Sequence, residues 1–153
     1  MSKPPLPLTG SCRCGATVIE ASAAPVLTAA CHCRGCQKMT ASAFSLTAMF
    51  PSAAFRVVQG DPVPGGAKGE ELTHFCCPEC LSWMFTRITG FDDFVNVRPV
   101  MFEDSSWFTP FIETWTATRL PSVSVSVAVE HSYDAFPPME EFGALLEAYA
   151  AQG

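Results

Sequence analysis

Six consecutive residues, Cys31-His32-Cys33-Arg34-Gly35-Cys36, bring three thiols closer together than an ordinary core can use. Cys12-Arg13-Cys14 lies upstream and Cys77-Pro78-Glu79-Cys80 downstream, so seven of the eight cysteines fall into three tight clusters. A tetrahedral zinc takes four ligands on one point, with thiolate sulfurs at about 2.3 Å. Two pairs from distant parts of the chain, each closed by a turn, supply that. Cys12, Cys14, Cys77 and Cys80 therefore read as one closed structural site that clips the amino-terminal segment to the middle of the chain. Cys31, Cys33 and Cys36 are left with three protein donors, and three donors plus an open position is the pattern of a catalytic zinc. The spacing predicts two zincs per chain.

Disulfides are the competing use of so many cysteines. No apolar run follows Lys3, where Pro4, Pro5 and Pro7 stand instead, so no secretory leader is read. No stretch approaches the roughly 20 apolar residues of a membrane helix. A cytoplasmic protein without membrane contact is expected, and in a reducing compartment clustered cysteines bind metal. With 48% hydrophobic and 16% charged residues, the 153-residue chain reads as one globular domain. Its formal charge of −6 falls further once thiolates bind divalent ions, which argues against nucleic acid as a partner.

Short apolar runs separated by glycine and proline predict a mainly β chain of antiparallel sheets. Strands are read over 16–21, 26–30, 43–50, 55–59, 71–76, 83–88, 94–100 and 111–118, with Cys31 at a strand end. Residues 37–42 read as a polar run, and 61–69, with Pro62, Pro64, Gly65, Gly66 and Gly69, as loop. Residues 122–129 alternate Ser and Val and read as a half-buried or edge strand. Met139, Phe142, Leu145, Leu146 and Tyr149 recur at helical spacing, with Glu140 and Glu141 in the first turn. This carboxy-terminal amphipathic helix presents a core face or a homodimer surface.

The order Gly-x-Cys-x-Cys-Gly (10–15), Cys-His-Cys-x-x-Cys-Gln-Lys (31–38), Ser-Ala-Phe (42–44) and Cys-x-x-Cys (77–80) resembles the glutathione-dependent formaldehyde-activating enzyme family. Phe55-Arg56, Gly60, Asp104 to Trp107 and Trp115 extend the likeness over about residues 9–120, leaving 121–153 as an extension. The resemblance implies antiparallel sheets pinned by zinc knuckles, like those of a small zinc-binding factor acting on Rab GTPases. It implies the same division of cysteines: Cys12, Cys14, Cys77 and Cys80 as structural ligands, Cys31, Cys33 and Cys36 as catalytic ones. It also implies carbon-sulfur lyase chemistry, in the name-giving case joining glutathione, as co-substrate, and formaldehyde as S-hydroxymethylglutathione. Departures include Leu81 where glycine is typical, Cys76 where an aromatic is common, and Glu113 where a histidine tends to stand.

An open zinc site makes a bound thiol nucleophilic at neutral pH. His32 and Cys76 are the donors that would close it. His32, lying between two ligands, is expected to face solvent or support the ligands, and Cys76 to be a buried structural thiol. Arg34 and Lys38, nearest the open site in sequence, are candidate contacts for anionic glutathione. Trp83, Phe85 and Trp107 read as core or as a pocket wall, and His74 and His131 as surface or core. The alternative to an enzyme is a zinc-stabilised binding or chaperone-like module in which both zincs are saturated by protein.

Overall fold

The computed structural model describes residues 3–67, 69–123 and 129–152. In chain order the strands are β1 (Leu8–Ser11), β2 (Val18–Ala21), β3 (Leu27–Cys31), β4 (Ser45–Pro51), β5 (Phe55–Gln59), β6 (Val63–Gly65), β7 (Leu72–Cys76), β8 (Trp83–Ile88), β9 (Phe94–Val97), β10 (Ile112–Thr114) and β11 (His131–Ser132). Helix α1 (Arg34–Thr40) follows β3, and α2 (Met139–Ala150) follows β11. A three-stranded sheet runs β1-β2-β5 and an eight-stranded sheet β11-β10-β3-β4-β9-β8-β7-β6.

Period-2 alternation places the two cores. Ala48 and Phe50 of β4 point to one face, where they pack with Leu8, Ile19 and Ala21 of the small sheet and with Phe85, Val95, Val97, Phe102 and Trp107. Met49, between them, points the other way, to Leu27, Phe111, Ile112 and Leu145. Leu145 lies on α2, and Phe142, Leu146 and Tyr149 flank it. The amphipathic face of α2 is therefore core, although Met139 at its start is exposed.

Several sequence expectations change, among them the strand read over 94–100, which ends at Val97 before a 3-10 turn over Pro99–Met101. The sheets are mainly antiparallel, but β10 runs parallel to both β3 and β11, and only Ile112–Thr114 of the expected 111–118 strand is extended. Residues 61–69 are not all loop: Val63–Gly65 pairs antiparallel with β7. Pro64 is tolerated because β6 is the outermost strand of its sheet, where a missing N–H costs no ladder bond. Residues 37–40 of the polar run belong to α1, which buries no residue and so carries no apolar period to read. The Ser/Val alternation of 122–129 falls mostly on 124–128, outside the described residues.

Gly10 shows how closely the layers meet. A Cβ there would strike the Met101 carbonyl oxygen and stand 2.7 Å from Phe102 Cα, beside the isolated bridge between Gly10 and Phe102. Backbone on both sides cannot give way as a side chain would. Gly10→Ala is expected to cost about 3 kcal/mol, read as a lower urea midpoint at unchanged slope; an unshifted midpoint would mean that the two segments are not held together.

Candidate metal centres

The first cluster is built by two turns. Gly15, at φ +79°, donates its N–H to Cys12 O at 3.0 Å, curling the chain so that Cys12 and Cys14 Sγ stand 3.5 Å apart. Cys14 Sγ lies 3.8 Å from Cys77 Sγ. Leu81 completes the second turn at φ +59°, its N–H donating to Cys77 O at 2.9 Å. Its side chain is 72% exposed, which is how a leucine occupies a place suited to glycine. All four sulfurs lie within 4.8 Å of one another. A tetrahedron of 2.3 Å bonds has edges of about 3.8 Å, so the sulfurs fit a four-thiolate metal.

Their electrostatics point the same way. The Ser82 hydroxyl, 3.2 Å from Cys80 Sγ, and backbone N–H donors hold Cys80 down to about 5. A backbone hydrogen bond at Ala16 pulls Cys14 down, yet the neighbouring Cys12 sulfur and desolvation leave it up at about 12. Crowded sulfurs are sharing protons where a cation can replace them.

The second cluster stands where β3 runs into α1. Cys31 ends the strand and Cys33 caps the helix, its Sγ accepting from Cys36 N–H at 3.3 Å. Cys31, Cys33 and Cys36 Sγ lie within 4.8 Å of one another, and among the described residues no fourth Cys, His, Asp or Glu joins them. The closeness of the two sulfurs splits their affinities for a proton, holding Cys31 down to about 5 and pushing Cys36 up.

His32 is fully buried, so the solvent-facing expectation is corrected. Its ring Nε2 meets Glu113 Oε1 at 2.6 Å, and Phe44 packs edge-on against it at 5.4 Å. Its backbone N–H donates to Thr114 O at 3.0 Å, while Gln37 Nε2 and Thr118 Oγ1 donate to its carbonyl at 2.9 and 3.0 Å. The residue between two thiols is thus fastened through its backbone and its ring Nε2, while Nδ1 is buried without a partner. Glu113 also accepts from Ser132 Oγ at 3.2 Å and Arg119 Nη1 at 3.3 Å. Glu113 was noticed in the sequence only as a departure; its partner lies 81 positions away, joined through the parallel β3–β10 pairing that no local pattern announces.

Arg34 and Lys38 are exposed on α1, and Arg34 Nη1 donates to Gln37 Oε1 at 2.8 Å. Cys76 is buried on β7, against Gly65, and takes no part in either cluster. Phe85 and Trp107 are core. His74 is half-buried, with Nδ1 2.9 Å from Thr86 Oγ1, and His131 packs on Phe111. Sequence reasoning missed Arg98. It is buried, stacked 4.2 Å over the Trp83 ring, and its only signal was a cation at the end of the Val95/Val97 alternation.

Removing Glu113 leaves a buried imidazole without its partner. Glu113→Ala is expected to cost about 3 kcal/mol of stability and to weaken metal at the three-thiol cluster about 10- to 100-fold, with the four-thiol cluster unaffected. Chelator competition on purified protein checks this, and equal weakening of both clusters would contradict it.

No helix among the described residues is long and apolar enough to cross a membrane. A solved protein of Rhodobacter sphaeroides, a structural-genomics target, superposes with a TM-score of 0.52 at 17% identity, over 82% of this chain and 98% of that one. It shares the fold. None of the curated proteins matches the chain. The family model described as glutathione-dependent formaldehyde-activating enzyme matches residues 7–118, a span that holds both thiol clusters, Glu113 and Arg98. With most of its length and its whole cysteine framework inside that match, the chain belongs to the glutathione-dependent formaldehyde-activating enzyme family.

Proposed function

We propose that the protein is a zinc-dependent carbon-sulfur lyase that makes or breaks a thiol adduct of a small aldehyde, with glutathione as the thiol and formaldehyde as the aldehyde. The observation that carries this reading is the incomplete ligand set: three converging thiols with no fourth donor among the described residues. Neither donor named from the sequence joins them: His32 stands outside the converging set, its Nε2 on Glu113, and Cys76 lies on β7 against Gly65. Zinc bound there would supply Lewis acidity and hold an incoming thiol as thiolate at neutral pH.

In the forward direction the substrate sulfur adds to the carbonyl carbon. The π pair of the C=O bond moves to oxygen, which takes up the proton the thiol has lost, so thiol and aldehyde give the hydroxymethyl thioether with nothing left over. The chain's own contribution is placement. Cys31, on the end of β3, and Cys33 and Cys36, on the first turn of α1, are set by the anchoring of His32. Arg34 and Lys38, exposed on that helix, offer cations to the carboxylates of glutathione. The four-thiol cluster takes the structural role, fastening the turn after β1 to the turn between β7 and β8.

Zinc content before and after mild chelation, followed by nuclear magnetic resonance of labelled formaldehyde with glutathione, tests the reading. Two zincs are expected, one of them labile and protected by glutathione, with adduct formation accelerated by the wild type and not by Cys33→Ser. One inert zinc indifferent to glutathione, or equal rates for wild type and Cys33→Ser, would overturn it in favour of a zinc-stabilised binding module.

A further inference from the structure

Arg98 is 6% exposed and is the one buried Lys or Arg among the described residues. A buried cation is normally compensated by a carboxylate, because isolating it from water is costly. Among the described residues no carboxylate pairs with Arg98: the ion pairs are His32–Glu113, Arg56–Glu20 and Arg119–Glu113. Its neutral contacts are weak. Nη1 donates to Ser45 Oγ and Nη2 to Asn96 O, both at 3.4 Å, and Nε has no hydrogen-bond partner. The Trp83 ring, 4.2 Å away, covers one face of the guanidinium.

The three-thiol cluster is a neighbour through Ser45. Ser45, the hydroxyl that Arg98 touches, pairs across the ladder with Cys31. Burial lowers Arg98 to about 10, and the negative charge of Cys36 and Cys31 works against that fall. Three thiolates around a divalent ion leave one net negative charge, and a fourth anionic ligand makes it two. In a dry site that second charge is strongly opposed unless a fixed cation stands nearby.

We propose that Arg98 is the built-in counter-charge of the three-thiol centre and makes its open position selective for anionic ligands, a thiolate above all, over neutral donors. The inference rests on the open metal site proposed above and adds the property that decides what enters it. It also accounts for an arginine inside an apolar sheet: Trp83 covers one face of it and Ser45 places it beside the strand that ends in Cys31. Arg98 acts through the field it sets up, as a specificity-determining residue.

Anaerobic cobalt(II) protein provides the test, since the visible bands of cobalt report ligands added at the open position while the four-thiolate centre serves as an unresponsive reference. Azide is titrated as the anion and imidazole as the neutral donor, into wild type, Arg98→Lys and Arg98→Met. Arg98→Met is expected to weaken azide binding about 10- to 100-fold and to leave imidazole unchanged, and Arg98→Lys to keep most of the azide affinity. Azide and imidazole weakened alike, or neither weakened, would overturn the proposal while leaving the open site standing. Should Arg98→Met lose the four-thiolate bands and so fail to fold, Arg98→Gln, which keeps hydrogen-bond donors without the charge, must show the same azide-selective loss. Wild-type bands that respond to neither ligand would defeat the open-site reading, and this inference with it.

Discussion

Sulfur atoms held 3.5 and 3.8 Å apart are the constraint on which the rest of the molecule depends. Thiolates at that spacing repel one another unless a proton or a cation lies between them, and a divalent ion does this for four at once. The four-thiol cluster ties the turn after β1 to the turn between β7 and β8. That tie complements the apolar core in which Leu8, Ile19 and Ala21 of the small sheet meet Phe85, Val95 and Val97 of the large one. A metal at the four thiols would support the same arrangement as the packing, and the layers hold the turns that present the sulfurs.

The three-thiol cluster is held differently. Its sulfurs sit on the junction of a strand and a short helix that has no buried residue of its own. What fixes the junction is the residue between the ligands. His32 is bonded by ring and backbone to Glu113, Thr114, Gln37 and Thr118, three of which lie on or beside β10. The cluster thus depends on the parallel pairing of β10 with β3, and the residue between two of the thiols sets where they stand.

The cysteine framework was legible because ligand spacing is a local, chemical signal: both clusters assemble from the residues that spacing assigned to them. The family followed from the same motifs, and the expected span of about 9–120 agrees with the match over 7–118. Strands with alternating apolar residues, and helix α2 with its apolar stripe, were legible for the same reason. Elements without periodicity were not. Helix α1 buries none of its residues, β6 contains a proline that only an edge strand accepts, and β10 has a parallel partner more than 80 positions away. The buried supports of the site, Glu113 and Arg98, are charged residues whose burial depends on distant partners, so composition and spacing assign them to the surface.

The central claim is that one centre is saturated by four sulfurs and the other holds three with a place for a fourth ligand. Zinc-edge X-ray absorption on protein carrying two zincs measures this directly. The account predicts about 3.5 sulfurs per zinc at about 2.3 Å and about half a lighter ligand near 2.0 Å, rising to about 4 sulfurs when glutathione is added. Four sulfurs per zinc before glutathione, or a light-atom ligand that glutathione leaves in place, would contradict it.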